Sequence, residues 1–287
     1  MDPKVSVVIA AYNQENLIRQ AVQSALDQET DFDFEILVGD DCSTDSTRAV
    51  VEELMEERPG IIRLFTASSN MGAQRNFMRL IDECKGEYIA HLDGDDYWTS
   101  PRKLAKQVAY MDAEPGCAIC YHNVFVIYVD RPGAQPVPSQ TPFRGVSTID
   151  DLLQRNYIYS CSMMFRRSAF PGFPDWYAEE SIGDYPLLIL VAKNGWIGHI
   201  DEVLAAYRVH AVSTWALRSH AEQIRITVDV LQAVGAELSH LQRQMLAASC
   251  AAMLRNAAGQ LESQGDSDTA NAFRLRANDL LAAAGVG

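Results

Sequence analysis

The chain has 287 residues, of which 48% are hydrophobic and 22% charged, a composition that excludes disordered and fibrous proteins. Its formal net charge of −14 at pH 7 would repel a phosphate backbone, which argues against a nucleic-acid-binding role. No apolar stretch reaches the roughly 18 to 20 residues of a membrane-spanning helix. The chain enters a strand-like run directly after Met-Asp-Pro-Lys, without room for a signal peptide, so we expect a cytoplasmic protein.

Strands and helices alternate over the first 115 residues. Short β-branched or apolar runs predict strands at 5–10, 35–39, 61–65 and 88–92. Apolar residues at helical spacing predict helices at about 17–26, 49–57 and around 77–81, and Ser100-Pro101 predicts the start of another that ends near residue 114. This alternation is typical of a mainly parallel sheet flanked by helices.

The pattern changes after residue 130. Four prolines and little apolar periodicity in 131–147 predict a mobile excursion. Beyond it we expect a helix capped by Thr148, a strand at 159–165, a helix at 184–194 and a strand at 202–209. From Leu217 onward the pattern is helical, with breaks predicted at Gly235 and Gly259. This segment nearly balances six arginines against seven acids, so a polybasic membrane anchor is not supported.

The six cysteines are scattered along the chain, as is typical of reduced cytosolic thiols rather than of a disulfide framework. Only Cys117 and Cys120 have a CxxC spacing. Because there is no second pair and the motif lies in an apolar run, we favour a buried strand over a metal or redox site.

Polar residues cluster where the first four predicted strands end. In parallel sheets, ligands bind outside the carboxyl ends of the strands, so these side chains should meet in one crevice. Turn or cap chemistry is the alternative for each one singly, and we favour it for 43–45. The residues are, in strand order, Tyr12 and Asn13, Asp40 and Asp41, Asn70 and Arg75, and Asp93 and Asp95.

The ligand of such a crevice can be narrowed by the motifs that are missing. Neither the dinucleotide fingerprint GxGxxG nor the phosphate loop GxxxxGK[ST] occurs in the sequence. The Asp93-x-Asp95 pair instead offers hard oxygen ligands suited to Mn²⁺ or Mg²⁺, which would in turn hold a diphosphate.

At these residues the sequence resembles the family 2 glycosyltransferases, which have the GT-A fold. The matching segments, in the family's order, are 5–13, 38–47, 70–76, 86–98, 183–186 and 207–210. The resemblance covers about residues 4 to 215. It implies a GT-A domain at 1–215, with a nucleotide-binding half at 1–98 and an acceptor and catalytic half at 99–215, followed by a C-terminal helical appendage at 216–287.

The resemblance implies a role for each polar residue of the nucleotide site. Tyr12 would stack on the base, and Asp41 would accept a hydrogen bond from the imide of uracil or thymine. Asp40 would contact the ribose or else hold the turn. Arg75 would contact the nucleotide, the alternative being a surface helix charge. The complete implied nucleotide site is Ala10, Tyr12, Asn13, Asp40, Asp41, Arg75 and Asp93.

The resemblance also implies a metal site and a catalytic base. Asp93 would reach the ribose or a metal-bound water, Asp95 would ligate the divalent cation, and Asp96 would brace the loop. His210 would approach the metal or the diphosphate, with a structural role as the alternative. Asp184 would act as the general base, although it could also cap the helix that follows.

Several neighbouring residues have more ordinary interpretations. Many relatives carry Glu before the catalytic Asp, whereas this chain has Gly183, which would loosen the acceptor pocket. We interpret His91 and His122 as packed or hydrogen-bonded. Trp98, Trp176 and Trp215 would serve as platforms for sugars or as core residues, with neither role favoured.

The implied function is an inverting, metal-dependent glycosyltransferase. It would move a sugar from a nucleotide-diphosphate donor, a UDP-sugar being favoured, to a hydroxyl of a saccharide or glycolipid acceptor, in cell-surface polysaccharide or glycolipid synthesis at the inner face of the membrane. The rivals are a sugar nucleotidyltransferase, whose glycine-rich turn is missing here, and a non-catalytic nucleotide-sugar binding protein, against which Asp184 argues. The helices after 216 could mediate homodimer formation or acceptor docking.

Overall fold

The computed structural model describes residues 2–131, 133–139, 145–210, 215 and 217–286. Over these residues the strands are β1 (Val5–Ala11), β2 (Phe34–Asp40), β3 (Ile62–Thr66), β4 (Tyr88–Asp93), β5 (Tyr97–Trp98), β6 (Cys117–Tyr128), β7 (Val137–Pro138), β8 (Val146–Ser147), β9 (Met164–Arg166) and β10 (Trp196–Val209). The α-helices are α1 (Ile18–Leu26), α2 (Thr47–Glu57), α3 (Ala73–Asp82), α4 (Lys103–Ala113), α5 (Ile149–Gln154), α6 (Asp184–Ala192), α7 (His220–Val234), α8 (His240–Ser263) and α9 (Ser267–Ala283).

One mixed sheet forms the centre of the molecule, with the strand order β3-β2-β1-β4-β9-β6-β10-β5. Strands β3, β2, β1 and β4 are parallel, and so are β6 and β10, whereas β9 is antiparallel to both of its neighbours. The register places Ala10 of β1 opposite Gly39 of β2 on one side and Asp93 of β4 on the other. The carboxyl ends of three strands therefore meet at one edge, as predicted from their polar residues.

The first strand and helix illustrate why the predicted elements form. β1 lies in the middle of the parallel half, and its residues from Val5 to Ile9 are fully buried, as expected for a strand covered on both faces. In α1, the stripe Ile18, Ala21, Val22 and Ala25 is buried at helical spacing against the sheet. Burying each larger aliphatic side chain contributes about 1.5 to 3 kcal/mol.

Two boundaries differ from the prediction. The segment 159–165 is not one strand: Ser160–Ser162 form a 3-10 helix, because both the N–H and the hydroxyl of Ser162 donate to the carbonyl of Tyr159, at 2.9 and 2.7 Å. Strand β9 follows only at Met164. Helix α4 begins at Lys103, so Pro101 lies in the turn before it rather than at the first helical position.

Two short parts of the proline-rich segment 131–147 pair with strands of the sheet. Val137–Pro138 pairs with β6, and Val146–Ser147 pairs with β10. A proline is tolerated in β7 because that strand lies at an edge. Pro132 and Pro142 lie outside the described residues.

The C-terminal helices have one of the two breaks predicted for them. α7 ends at Gly235, as expected, but α8 continues through Gly259 to Ser263. An exposed glycine costs a helix only about 1 kcal/mol, too little to end a helix of 24 residues. The chain turns instead at Gly265, where φ is +88°, and the Asp266 side chain accepts from Thr269 N–H to cap α9.

Helix α6 links the C-terminal helices to the rest of the core. It is apolar on all sides, and its residues from Tyr185 to Ala192 are buried. Leu188 of α6, Leu231 of α7 and Leu254 of α8 belong to a single hydrophobic cluster. Among the described helices, none has both the length and the apolarity that crossing a membrane requires.

All six cysteines are free. Cys117 and Cys120 are fully buried in β6, which confirms the strand predicted for the CxxC run.

Candidate active site

The loops after β1 and β2 hold each other through side-chain hydrogen bonds. Asn13 has a φ of +52°, its N–H donates to Ser43 Oγ at 2.9 Å, and its Oδ1 accepts from Thr44 N–H at 2.8 Å. The Asp40 carboxylate is buried and accepts from Ser43 N–H at 3.3 Å. In this structure Asp40 thus holds the turn, which is one of the two roles considered for it.

Cap chemistry operates at Asp45, as the sequence predicted. Its Oδ1 accepts from Thr47 N–H at 2.9 Å and its Oδ2 from Glu15 N–H at 3.0 Å. Burial acts to raise the pKa of Asp45, but these hydrogen bonds and the one from the Thr47 hydroxyl outweigh it, so the pKa is lowered overall.

Asp41 ties the end of β2 to the loop before α3. It is only 2% exposed, and its two oxygens accept from Met71 N–H at 2.8 Å and Gly72 N–H at 2.9 Å. Each carboxylate oxygen can accept a second hydrogen bond, which is the capacity that a base imide would use. Tyr12, at the end of β1, is 44% exposed and offers an open aromatic face beside this loop.

Two residues of α3 that were not predicted from the sequence donate hydrogen bonds to backbone carbonyls at the ends of β2 and β3. Arg79 donates to the carbonyls of Phe65 at 2.9 Å and Asp40 at 3.2 Å, and Asn76 Nδ2 donates to Gly39 O at 2.8 Å. An amide and a guanidinium three residues apart on an amphipathic helix were the available signal. Arg75, one turn before Arg79 in the same helix, forms an exposed ion pair with Glu179.

The turn after β4 presents the acids predicted for the metal and ribose. Gly94 N–H donates to Ala10 O at 3.2 Å, which seats the turn on the end of β1. Asp93 Oδ1 lies 3.2 Å from His91 Nε2, and its Oδ2 accepts from the Ser160 hydroxyl. Burial acts to raise the pKa of Asp93, but the His91 charge and these hydrogen bonds lower it overall. Ser160 was not identified from the sequence.

Asp95 and Asp96 are positioned by the end of β10. Asp95 Oδ2 lies 3.0 Å from His210 Nε2, while Asp96, buried beside it, accepts from Arg208 N–H at 2.7 Å. The Arg208 guanidinium also donates to Asp95 O at 2.9 Å. Burial and the negative charge of Asp93 raise the pKa of Asp95. Asp96 therefore braces the turn, as predicted.

The chemistry of Asp95 and His210 suits a divalent cation. Asp95 Oδ2 and His210 Nε2 lie 3.0 Å apart, which is a hydrogen-bond distance, and a carboxylate oxygen is the type of ligand that Mg²⁺ and Mn²⁺ prefer. Within the described part of the chain, no group of three or more His, Cys, Asp or Glu side chains is arranged to hold a metal. Mg²⁺-type sites commonly use one or two protein ligands together with substrate phosphates.

Asp184 begins α6 at the same crevice. It is partly buried and is the first residue of that helix. Burial and the nearby charge of Asp93 raise the pKa of Asp184. A Cβ on Gly183 would lie 2.9 Å from Tyr177 Oη, which itself donates to Gly183 O at 2.9 Å. Tyr177 thus occupies space that a side chain at 183 would need.

The histidines and tryptophans near the site fall mainly in the core. His91 stacks on Phe77 with ring centroids 4.8 Å apart, and His122 Nδ1 lies 2.8 Å from Asn123 O, as predicted for packed histidines. Trp98 is buried and donates to Cys161 O at 3.0 Å, which supports its core role. Trp176 is partly buried against the core.

Comparison with known sequences identifies the family. The family model described as glycosyl transferase family 2 matches residues 6–171. Escherichia coli WfaP, named a UDP-Glc:alpha-D-GlcNAc-diphosphoundecaprenol beta-1,3-glucosyltransferase, is 37% identical over 241 residues, covering 82% of this chain and 88% of WfaP. The uncharacterized protein Rv1520 of Mycobacterium tuberculosis is 37% identical over 211 residues, 74% of this chain. The chain spans 60% of the length of that relative.

Solved structures share the fold at low sequence identity. S. aureus TarS 1-349 in complex with UDP-GlcNAc superposes with a TM-score of 0.67 at 17% identity, covering 96% of this chain and 92% of TarS 1-349. Mannosyltransferase PcManGT from Pyrobaculum calidifontis, in complex with GDP-Man and Mn²⁺, gives a TM-score of 0.60 at 18% identity and covers 99% of this chain and 87% of its own. The predicted GT-A fold is confirmed, and by its sequence the chain belongs to glycosyltransferase family 2.

Proposed function

We propose that the chain is an inverting, metal-dependent glycosyltransferase that uses a UDP-sugar donor and a saccharide acceptor carried on a lipid diphosphate. The observation that carries the proposal is the meeting of Asp93, Asp95, His210 and Asp184 at the sheet edge that also presents Tyr12. The acceptor class is taken from the name of WfaP, and the UDP donor from WfaP and from the ligand of TarS.

The donor would lie across the ends of β1, β2 and β4. Tyr12 supplies the exposed face for a base, and Asp41 keeps one acceptor position on each oxygen for a pyrimidine imide. Asn13 and Asp40 would act by holding this part of the site in shape. Asp93, held at both oxygens, would keep a fixed orientation toward the ribose.

Asp184 would remove the proton of the acceptor hydroxyl. As that oxygen forms a bond to C1 of the donor sugar, the bond from C1 to the diphosphate oxygen breaks, and UDP leaves with the electron pair. The raised pKa of Asp184 suits a base that must accept a proton and later release it. Held by Asp95 and His210, a divalent cation would withdraw charge from the departing diphosphate. Attack opposite the leaving group inverts the configuration at C1.

The test is calorimetric binding of UDP, dTDP, GDP, ADP and CDP, each with Mn²⁺ and with EDTA. We expect binding of UDP or dTDP that requires Mn²⁺, and its loss in Asp95→Ala. Asp82→Asn, an exposed acid at the end of α3, is the matched control and should bind as the wild type does. Unchanged UDP binding in Asp95→Ala would refute the metal assignment.

Catalysis is tested separately with UDP-glucose and a GlcNAc-diphosphate lipid, the substrates that the name of WfaP suggests. Asp184→Asn should lower kcat by about a hundredfold to ten-thousandfold while UDP affinity stays within about threefold, because general-base catalysis contributes about 10² to 10⁴ in rate and the amide cannot accept the proton. Nucleotide binding without transfer to any acceptor would instead support a non-catalytic nucleotide-sugar binding protein.

The same acceptor would bring the protein to the cytoplasmic face of a membrane. Co-sedimentation with vesicles that contain the lipid-linked acceptor, compared with vesicles that lack it, tests this location. Recovery in the supernatant with both kinds of vesicle would contradict it.

A further inference from the structure

Two tyrosines on the side of the site away from the nucleotide lie in direct contact with each other. The rings of Tyr159 and Tyr207 have centroids 5.1 Å apart and planes inclined at 56°. Both side chains are partly buried, and neither hydroxyl has a hydrogen bond within the described part of the chain. The pair packs against the hydrophobic core and keeps part of its surface exposed.

This tyrosine pair is fixed beside the acidic turn after β4. Tyr159 directly precedes Ser160, whose hydroxyl donates to Asp93, and Tyr207 directly precedes Arg208, whose N–H donates to Asp96. Burial and the charges of the four site carboxylates together raise the pKa of Tyr207, so it stays a neutral phenol and a hydrogen-bond donor. Those carboxylates are Asp93, Asp95, Asp96 and Asp184.

The strand order separates the tyrosine pair from the nucleotide. In the sheet, β1 and β2 lie on one side of β4, whereas β9, β6 and β10 lie on the other. Tyr12 follows β1, Tyr207 lies on β10, and the acids at the end of β4 lie between them. In an inverting displacement the nucleophile approaches C1 from the face opposite the leaving group. The acceptor would therefore enter from the β6 and β10 side.

A third tyrosine extends this surface outward. Tyr128 at the end of β6 lies near enough to Tyr159 to contribute, after burial, to its raised pKa. The Arg131 guanidinium stacks over the Tyr128 ring at 4.5 Å from its centroid. Aromatic rings could pack against a sugar ring, and the Arg131 guanidinium beside them could pair with a phosphate that follows the sugar.

We propose that Tyr159 and Tyr207 form the platform that binds the sugar ring of the acceptor and presents its hydroxyl to Asp184. The platform rests on the function proposed above and assigns it two specificity-determining residues. The apolar C–H faces of a pyranose pack on aromatic rings, while the phenol hydroxyls and neighbouring carboxylates hydrogen-bond to its hydroxyls.

The test compares Leu and Phe variants at both positions. With UDP-glucose and the GlcNAc-diphosphate lipid, Tyr159→Leu and Tyr207→Leu should each raise the acceptor KM about tenfold, the loss expected for an aromatic stacking contact. Donor affinity, measured as UDP binding with Mn²⁺, should stay within about twofold. The Phe variants keep the rings and lose only the hydroxyls, so their acceptor KM should rise by about threefold, less than in the Leu variants. Tyr12→Leu provides the opposite pattern, with donor affinity weakened and the acceptor KM unchanged.

The outcomes separate this inference from the proposed function. Leu variants with a wild-type acceptor KM, or with equal losses for donor and acceptor, overturn the platform while the transferase assignment stands. If the wild type transfers to no acceptor, saturation-transfer NMR with methyl hexopyranosides in the presence of UDP and Mn²⁺ replaces the kinetics. A signal that is lost in Tyr159→Leu supports the platform. No signal, or equal signals in the wild type and the variant, overturns it.

Discussion

Lys103 is a buried cation whose environment makes folding sensitive to pH. Its ammonium lies 4.1 Å from the centre of the Trp98 ring and has no hydrogen-bond partner among the described residues. Burial lowers the pKa of Lys103 to about 7 from 10.5. Between these values the unfolded chain binds more protons than the folded chain, so the free energy of unfolding should rise with pH, by at most about 1.4 kcal/mol per unit.

Lys103→Met tests this prediction because it keeps the length of the side chain and removes the titration. Urea unfolding of both proteins at pH 6, 7.5 and 9 should show the variant as the more stable at pH 6, with the gap closing as the pH rises. Parallel stability curves would mean that the buried lysine does not titrate between 7 and 10.5.

At the residue scale, the sequence indicated where the acidic residues of the site lie, but it did not indicate the residues that form hydrogen bonds with them. Asp93 and Asp95 follow an obvious strand, and their spacing alone indicated a metal and diphosphate role. Ser160, which donates to Asp93 across 67 residues, and Arg208, whose N–H donates to Asp96 across 112 residues, carry no local signal. Their roles arise only because β9 and β10 return to the same edge of the sheet.

At the element scale, the contact of β2 with α3 depends on Gly39. A Cβ there would lie 2.6 Å from Asn76 Oδ1 and 2.8 Å from Leu80 Cδ1, both in buried side chains. Gly39→Ala should therefore lower the free energy of unfolding by about 1 to 3 kcal/mol, as overpacking does. It should also weaken UDP binding, because Asn76 and Arg79 hold the strand ends below Asp40. Urea unfolding and calorimetry measure the two effects, and wild-type values in both would show that the contact adapts freely.

Helix α8 contains a glycine, Gly259, where an added methyl group should stabilise the protein rather than destabilise it. Gly259 is exposed inside the helix, and an added Cβ would have no side chain of another residue within 4 Å apart from its two chain neighbours. Gly259→Ala should raise the free energy of unfolding by about 0.5 to 1 kcal/mol, because alanine loses less backbone entropy in a helix. Urea unfolding checks this. A loss of stability would contradict this prediction and would favour the break at Gly259 that the sequence indicated.

At the scale of the whole molecule, α7, α8 and α9 should unfold together with the sheet. Leu254 of α8 is fully buried in the cluster that also contains α6. Leu254→Ala should cost about 2 to 5 kcal/mol and shift a single calorimetric transition, rather than splitting off a C-terminal one. Two separate transitions in the wild type would instead support an independent appendage beginning at 216.

The amino-acid sequence by itself determined the α/β alternation, the placement of the polar residues at the strand ends and the membership in family 2. Hydrophobic periodicity, caps and turns are encoded within about ten neighbouring residues, so they can be recognised without knowing the fold. Only the tertiary structure decided that β9 lies antiparallel between β4 and β6 and that the C-terminal helices share the core of α6. Likewise it brought Tyr159 and Tyr207 together beside Asp93. These outcomes depend on contacts between distant segments, which form only when the chain closes and buries its apolar faces.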